Sequence, residues 1–193
     1  MRKTTRQLMA IFVAVAAAVL LMMGTTFAQK QKPLQISATA MGTATQLGRI
    51  VSVDVRVTEF STPDDLKVLM QAFEEKGTEG VANALHKMKA KGRIAVTGTL
   101  GFDVNYAREF VMPDGSRKIR FVTDRPIMFG EAWSSSRSMD YSLSMGEIII
   151  SKVKGETKGT LFPAAKFKVD KAGELEIDLL QNAWKLENIK VWK

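Results

Sequence analysis

Alternating apolar and polar residues between positions 50 and 58 constrain the fold more than any other feature of the sequence. Valines occupy every second position of this segment, with Ser52, Asp54 and Arg56 between them. A two-residue period is typical of a β-strand that buries one face. The sequence therefore predicts a strand here, with its buried side formed by Val51, Val53, Val55 and Val57.

Strand and turn patterns also dominate the chain after residue 92. Apolar residues alternate with polar ones on both sides of Pro113-Asp114-Gly115, which predicts a hairpin turn at that point. A second turn is expected at residues 170–173. The further predicted strands cover residues 94–96, 104–112, 119–123, 127–133, 139–153, 160–169, 174–180 and 184–192.

The segment after the valine strand has the signals of two helices. Thr62 is expected to cap the first helix, Pro63 suits the first helical position, and two aspartates follow at the positive end of the helix. This helix should end near Gly77. The second should begin at Thr78 and stop at Gly92. The apolar stripes are Leu66, Leu69, Met70 and Phe73 in the first helix, and Val81, Leu85 and Met88 in the second.

These patterns together predict an α+β fold. We expect an antiparallel meander of about six to eight strands, with a helix pair inserted after the first strand and packed on one face of the sheet. The single domain should cover residues 46–193. It follows a signal peptide at 1–28 and a polar arm at 29–45 that contributes an edge strand near residues 34–37.

The N-terminus has the three parts of a secretory signal peptide. Basic residues precede an apolar stretch at 8–23, and Thr26 and Ala28 place small residues three and one before a cut ahead of Gln29. An uncleaved anchor helix is the alternative, although the stretch of 16 residues is slightly shorter than the roughly 20 apolar residues of a membrane span. No two arginines are adjacent in the signal, so general secretion is favoured over the twin-arginine route.

Composition narrows the compartment and the partners. The chain has no cysteine, which excludes a lipid-modified cysteine, disulfides and thiolate metal sites. Its net charge is +8, of which three positive charges lie in the predicted signal, so the exported protein is only mildly basic. The expected location is periplasmic or extracellular, without a lipid anchor. We expect no membrane span after cleavage, because the chain has no second long apolar run.

Catalytic and metal-binding motifs are missing. His86 is the single histidine, and we expect it on a solvated flank of the second helix. The carboxylates follow no metal-binding pattern, so neither a metal nor a cofactor is predicted. Ser151 and Lys154 fit the serine-lysine spacing of penicillin-binding proteins, but a strand would turn them to opposite faces. No catalytic residue is therefore assigned.

Two other surfaces have the composition of binding sites. Arg117, Lys118 and Arg120 form a basic hairpin, yet the modest charge and the absence of a recognition motif argue against nucleic acid. Methionine and aromatic side chains later in the chain can line an adaptable apolar pocket, or they can simply form the core between sheet and helices. The candidate ligand-binding residues are Met128, Phe129, Trp133, Tyr141 and Trp184.

Three segments of the second half resemble a family of exported, signal-peptide-bearing bacterial proteins of unknown function. They read GRIAVTGTLGFDVNYARE, RKIRFVTDRPIMFGEAW and GTLFPAAKFKVDKAGELEIDLLQNAW. The resemblance extends from Gly92 to the C-terminus. It implies an exported domain and supplies no catalytic residue.

The sequence thus favours an exported, non-enzymatic domain that binds an apolar small molecule between sheet and helices, or an envelope protein. Two alternatives remain open. One is an envelope hydrolase whose site, with Ser151 and Lys154 or a Ser/Asp arrangement, forms only on folding. The other is an envelope assembly or structural factor that uses edge strands for β-augmentation.

Overall fold

The computed structural model describes residues 33–127, 141–169, 175–180 and 182–192. A helix, α1 (Pro63–Lys87), lies between the second and third strands, and a short 3₁₀ helix covers Ala44–Gln46. The strands are β1 (Leu34–Met41), β2 (Ile50–Val57), β3 (Gly92–Val96), β4 (Phe102–Val111), β5 (Arg117–Thr123), β6 (Leu143–Ile150), β7 (Lys158–Val169), β8 (Leu175–Leu179) and β9 (Trp184–Trp192).

Eight of these strands close into an antiparallel barrel. The order around the ring is β1-β2-β3-β4-β5-β6-β7-β9, and β9 returns to β1, while β8 pairs with β7 outside the ring. Closure depends on β9, whose Trp184 pairs with Leu161 of β7 and whose Val191 pairs with Ile36 of β1. The prediction of an open meander covered by a helix pair is therefore wrong.

Alternation along each strand produces the barrel interior. Residues of β1 and β2 that point inward are small or branched and apolar, and the polar residues between them point outward. An eight-stranded barrel is just wide enough for side chains to fill. The largest side chains buried in this interior cluster include Trp184, Phe121, Ile36, Ile94, Ile119, Ile148, Leu161 and Leu186.

β1 lies in the predicted polar arm, where the sequence predicts an edge strand near residues 34–37. It pairs with β2 on one side and with β9 on the other, so it is an internal strand of the ring. Its inward residues include Ala38 and Ala40, whose small side chains weaken the apolar signal in the sequence. On the outer face, Ser37 donates a hydrogen bond of 2.7 Å to Asp54 of β2.

Helix α1 begins as the sequence predicts. The Thr62 hydroxyl accepts from the Asp65 N–H, the Asp65 carboxylate accepts from the Thr62 N–H, and Pro63 occupies the first helical turn. The predicted break near Gly77 is present, because Lys76 and Gly77 have non-helical backbone angles. The helical stretches on either side meet at this sharp bend within α1, and they pack on a closed barrel and not on an open sheet. Gly92, the predicted stop, is the first residue of β3.

The turn at Pro113-Asp114-Gly115 is confirmed. The Gly115 N–H donates to the Met112 carbonyl at 2.8 Å, and the Asp114 carboxylate accepts from Ser116. The predicted strands at 160–169, 174–180 and 184–192 correspond to β7, β8 and β9. The signal peptide, the predicted strand residues 128–133 and the predicted turn at 170–173 lie outside the described residues.

Candidate functional site

A groove between α1 and the outer face of the barrel is the strongest candidate site. We call it the helix groove. Its volume is about 410 Å³, within the range of roughly 300–1,000 Å³ typical of small-molecule sites. Its lining is apolar apart from one carboxylate and one phenol: Leu66, Leu69, Met70, Phe73, Glu74, Val81, Leu85, Tyr106, Val122 and Phe167.

Hydrogen bonds attach α1 to the barrel at both ends of the groove. At its start, the Ser61 N–H donates to the Ala107 carbonyl at 2.7 Å, and the Ser61 hydroxyl accepts from the Ala107 N–H. Further on, the Thr78 hydroxyl donates to the Phe167 carbonyl at 2.7 Å and accepts from the Phe167 N–H at 2.8 Å. The second helix was predicted to begin at Thr78, and helical structure does resume there after the bend at Gly77. The Thr78 hydroxyl also fixes α1 to β7.

The bend divides α1 into two arms, residues 63–75 and 78–87. Gly77 has φ of 57° and ψ of −143°, a conformation that costs little only for glycine. The arms pack closely beyond the bend, since a Cβ on Gly80 would stand 2.0 Å from the Ala72 carbonyl oxygen. Both arms therefore contribute to the same groove, with Leu66 and Leu69 from the first and Val81 and Leu85 from the second.

An edge-to-face contact forms the end of the groove near the bend. The rings of Phe73 and Phe167 lie 6.0 Å apart with an interplanar angle of 85°. Such pairs contribute about 0.5–1.5 kcal/mol beyond burial of their area. This end of the groove therefore combines aromatic packing with the Thr78 hydrogen bonds to β7.

Tyr106 lies at the other end, on the outer face of β4. A register shift between Val104 and Tyr106 turns Val104 into the barrel and Tyr106 toward α1. Burial raises the pKa of the Tyr106 hydroxyl, and its hydrogen bond with the Arg108 side chain acts in the opposite direction. The phenol is therefore a neutral hydrogen-bonding group at an otherwise apolar site.

A buried lysine lies beside the start of α1. The Lys91 ammonium, with 8% of its side chain exposed, lies 2.9 Å from the Glu59 carboxylate and 3.3 Å from the Asp65 carboxylate. Burial opposes ionisation of Lys91 and Asp65. It is outweighed at Asp65 by the hydrogen bond from the Thr62 N–H and the interaction with Lys91, and at Lys91 by the interactions with Glu59 and Asp65. The pKa of Lys91 is raised and those of Asp65 and Glu59 are lowered. This arrangement joins the helix start to the strand β3 that follows Lys91.

His86 holds the end of the second arm. Its Nδ1 lies 2.7 Å from the Asp124 carboxylate, which is 4% exposed and also accepts from Arg125 at 3.0 Å. The histidine side chain is 70% exposed, so its predicted place on a solvated flank is right, but its carboxylate partner was not foreseen. Asp124 and Arg125 directly follow Thr123, the last residue of β5.

The predicted ligand-binding residues do not form one site in the described part of the chain. Met128, Phe129 and Trp133 lie outside the described residues. Trp184 is buried in the barrel interior, and Tyr141 is half-buried with its hydroxyl 3.3 Å from Asp178 and its ring under the Lys166 ammonium. Neither of these two lines the helix groove, so the five-residue site stays a prediction.

The serine-lysine pair lies in the loop after β6. The Ser151 hydroxyl donates to the Glu156 carboxylate at 3.4 Å and accepts from the Val153 N–H at 3.0 Å, which ties it into a turn. Lys154 is exposed in the same loop. No hydrogen bond joins Ser151 to Lys154 in the described part of the chain, so the hydrolase alternative gains no support from this pair.

Two other cavities are less suited to an apolar ligand. One, of about 510 Å³, lies at one end of the barrel, where Arg117 pairs with Glu109 and the rim carries Ser151, Lys152 and Trp192. Another, of about 540 Å³, lies between the arms of α1 on the side away from the barrel and includes charged residues of both arms. The helix groove is more uniformly apolar than either.

The described residues contain no group of three His, Asp or Glu side chains placed to hold a metal ion. Within them, no helix combines the length and the apolar character that crossing a bilayer requires. No family model, curated protein or solved structure matches this chain.

Proposed function

We propose that this protein is an exported, non-enzymatic binding domain that holds a small apolar molecule in the helix groove. One observation carries the proposal: a cavity of about 410 Å³ whose lining is almost wholly apolar remains open between α1 and a barrel whose own interior is filled by side chains. Concave apolar sites with a few polar groups are typical of ligand pockets. Glu74 and the Tyr106 hydroxyl are those polar groups.

The exposure of Met70 supports this assignment. Met70 lines the groove and is 55% exposed, so part of an apolar side chain faces solvent at a site large enough for a ligand. Methionine adapts its shape to different apolar partners at low cost. An occupant of the groove would remove this surface from water, and that burial is the expected driving force of binding.

Fluorescence of N-phenyl-1-naphthylamine, a neutral apolar probe, tests the proposal directly. The purified protein should enhance the fluorescence with saturable binding. Met70→Lys should weaken binding about tenfold or more, because a charge would be placed in an apolar site. Val68→Lys is the matched control, since Val68 is 51% exposed on the same arm but lines the outer cavity.

Two results would count against a ligand in the helix groove. The first is an absence of saturable probe binding by the wild-type protein. The second is equal weakening by Met70→Lys and Val68→Lys, which would place the probe elsewhere. Circular dichroism of both variants checks that the helix is retained.

The proposed export is tested separately. We propose that residues 1–28 direct general secretion and are removed. Expression of the full-length sequence in a bacterial host should then give a periplasmic or secreted product whose N-terminal residue is Gln29. A product that keeps Met1 and sediments with membranes would instead support the anchor alternative.

A further inference from the structure

We propose that the occupant of the helix groove is a single-chain amphiphile with a carboxylate head, and that Arg108 binds the head. This inference rests on the proposed function, because it names the chemistry of the same ligand. It depends on the surface that continues from the Tyr106 end of the groove.

Arg108 follows the groove along the outer face of β4. Alternate residues of a strand share a face, and Arg108 is two positions after Tyr106, or about 7 Å away. Its guanidinium lies 5.3 Å from the ring centroid of Phe110, the next residue on that face. It is also near enough to Tyr106 to act against the rise that burial causes in the pKa of the phenol. A fixed cation therefore stands where the apolar lining ends.

Charges around Arg108 are not balanced. Arg108 pairs across the sheet with Arg120, and Arg120 pairs with Glu147 of β6. The Glu147 carboxylate lies 2.6 Å from Arg120 and 3.5 Å from Lys118, so one acid serves both of these cations. Among the described residues, no carboxylate lies within ion-pair distance of Arg108. An anionic group on a ligand would supply the missing partner.

Two acids at the groove, Asp65 and Glu74, are placed so that they do not oppose this orientation. Asp65 approaches Tyr106, but its carboxylate is engaged by the Lys91 ammonium at 3.3 Å and the Thr62 N–H at 2.7 Å. Glu74 lies eight residues after Leu66, about 12 Å along the helix. The head would therefore lie near Arg108, and the chain would extend toward Phe73.

The shape of the site selects the kind of amphiphile. A guanidinium presents paired donors that match a carboxylate in a bidentate arrangement. The volume of about 410 Å³ is near the lower end of the range for ligand pockets, which favours one alkyl chain over two.

Displacement of the neutral probe by three ligands of equal chain length tests the inference. Laurate, lauryl alcohol and laurylamine share one alkyl chain and differ in head charge. Laurate should bind the wild-type protein about tenfold more tightly than the alcohol, as expected for a hydrogen bond to a charged group. Arg108→Gln should abolish this preference by weakening laurate binding, with a smaller effect on the affinity for the alcohol.

Arg56→Gln is the matched control for the loss of charge. Arg56 is an exposed arginine on β2 for which no ion pair is found among the described residues, so its replacement should retain the preference for laurate. Arg108→Lys keeps the charge without the paired donors and should give an intermediate preference. These variants distinguish a specific head site from a general effect of net charge.

The outcomes separate the inference from the proposed function. If the alcohol binds the wild-type protein as tightly as laurate, or if Arg108→Gln keeps the preference, the carboxylate inference is overturned and the apolar site stands. Tightest binding of laurylamine would overturn it in favour of Glu74 as the head partner. If neither the probe nor any of the three ligands binds, the proposed function itself fails.

Discussion

The ring of Phe121 occupies the place where residue 146 would carry a side chain. These residues pair across β5 and β6, and a Cβ built on Gly146 would stand 2.1 Å from the Cζ atom of the ring. The same inward layer continues to Leu161 on β7. A large residue is thus accommodated in the barrel because its neighbour has no side chain.

Gly146→Ala should therefore destabilise the barrel. The added methyl group forces the Phe121 ring or the strand to move, and overpacking of a core typically costs about 1–3 kcal/mol. Urea denaturation measures the loss in the free energy of unfolding. Combination with Phe121→Leu provides the control, because the smaller side chain should remove the clash. The double variant should lose less stability than the sum of the single ones.

The sequence predicted the local structure of individual strands, turns and helix ends better than the way in which the strands assemble into a barrel. Alternation of valines identified β2, and Thr62, Pro63 and Asp65 identified the start of α1, because these signals act between near neighbours in the chain. The hairpin turn at 113–115 belongs to the same class. In each case, the physical cause lies within a few residues.

Closure of the barrel depends on contacts that no local pattern specifies. β1 and β9 stand at opposite ends of the described chain, and their pairing converts an open sheet into a ring. The helix groove was missed for a related reason. Tyr106 faces α1 because of a register shift after Val104, whereas simple alternation would place both side chains on one face. A sequence read by periodicity alone gives no position for such a shift.

Thr62→Ala should destabilise the start of α1. The substitution removes the hydroxyl that accepts from the Asp65 N–H, and the loss of such a cap costs about 0.5–2 kcal/mol. Thr62→Ser keeps the hydroxyl and should be close to the wild-type protein in urea denaturation. Equal stability of the alanine and serine variants would contradict this role for the capping hydroxyl.

Lys91→Met should lower the free energy of unfolding at neutral pH by about 1–3 kcal/mol. This cost is smaller than that of breaking a fully buried ion pair, because Glu59 is half-exposed. The substitution leaves Asp65 and Glu59 without the ammonium that lies between them. Lys89→Met is the control. Lys89 also lies near Glu59, at 3.3 Å, but it is well exposed, and its loss should change stability by less than about 0.5 kcal/mol.

The effect of Lys91→Met should depend on pH. The pKa values of Asp65 and Glu59 are lowered in the folded protein, so these groups contribute stability above their ordinary values of 3.8 and 4.5, and that contribution is lost as the pH falls through the folded values. The raised pKa of Lys91 extends its contribution upward to alkaline pH. Wild type and variant should therefore converge in acid. A difference that stays constant from neutral pH down to about pH 2.5 would contradict the assignment.

Asp124→Asn should release the second arm of α1 from the barrel. Burial opposes ionisation of Asp124, but hydrogen bonds from Arg125 and His86 outweigh it and hold the pKa of the carboxyl below its ordinary value of 3.8. A neutral amide loses the charge-assisted bond to His86, at a cost of about 1–3 kcal/mol. Backbone amides of residues 84–88 should exchange their hydrogens faster, while those of β1 and β9 change less.

His86→Ala distinguishes the contact between Asp124 and α1 from the effect of the charge of Asp124 itself. It removes the contact with α1 but keeps the bond between Asp124 and Arg125, so faster exchange in residues 84–88 should come with a smaller loss of global stability. Because Leu85 lines the helix groove beside His86, a loosened arm should also let the bound probe dissociate faster. Unchanged exchange in both variants would mean that the contact between His86 and Asp124 does not hold this end of the arm. Faster exchange with an unchanged dissociation rate would place the route of ligand release at the first arm instead.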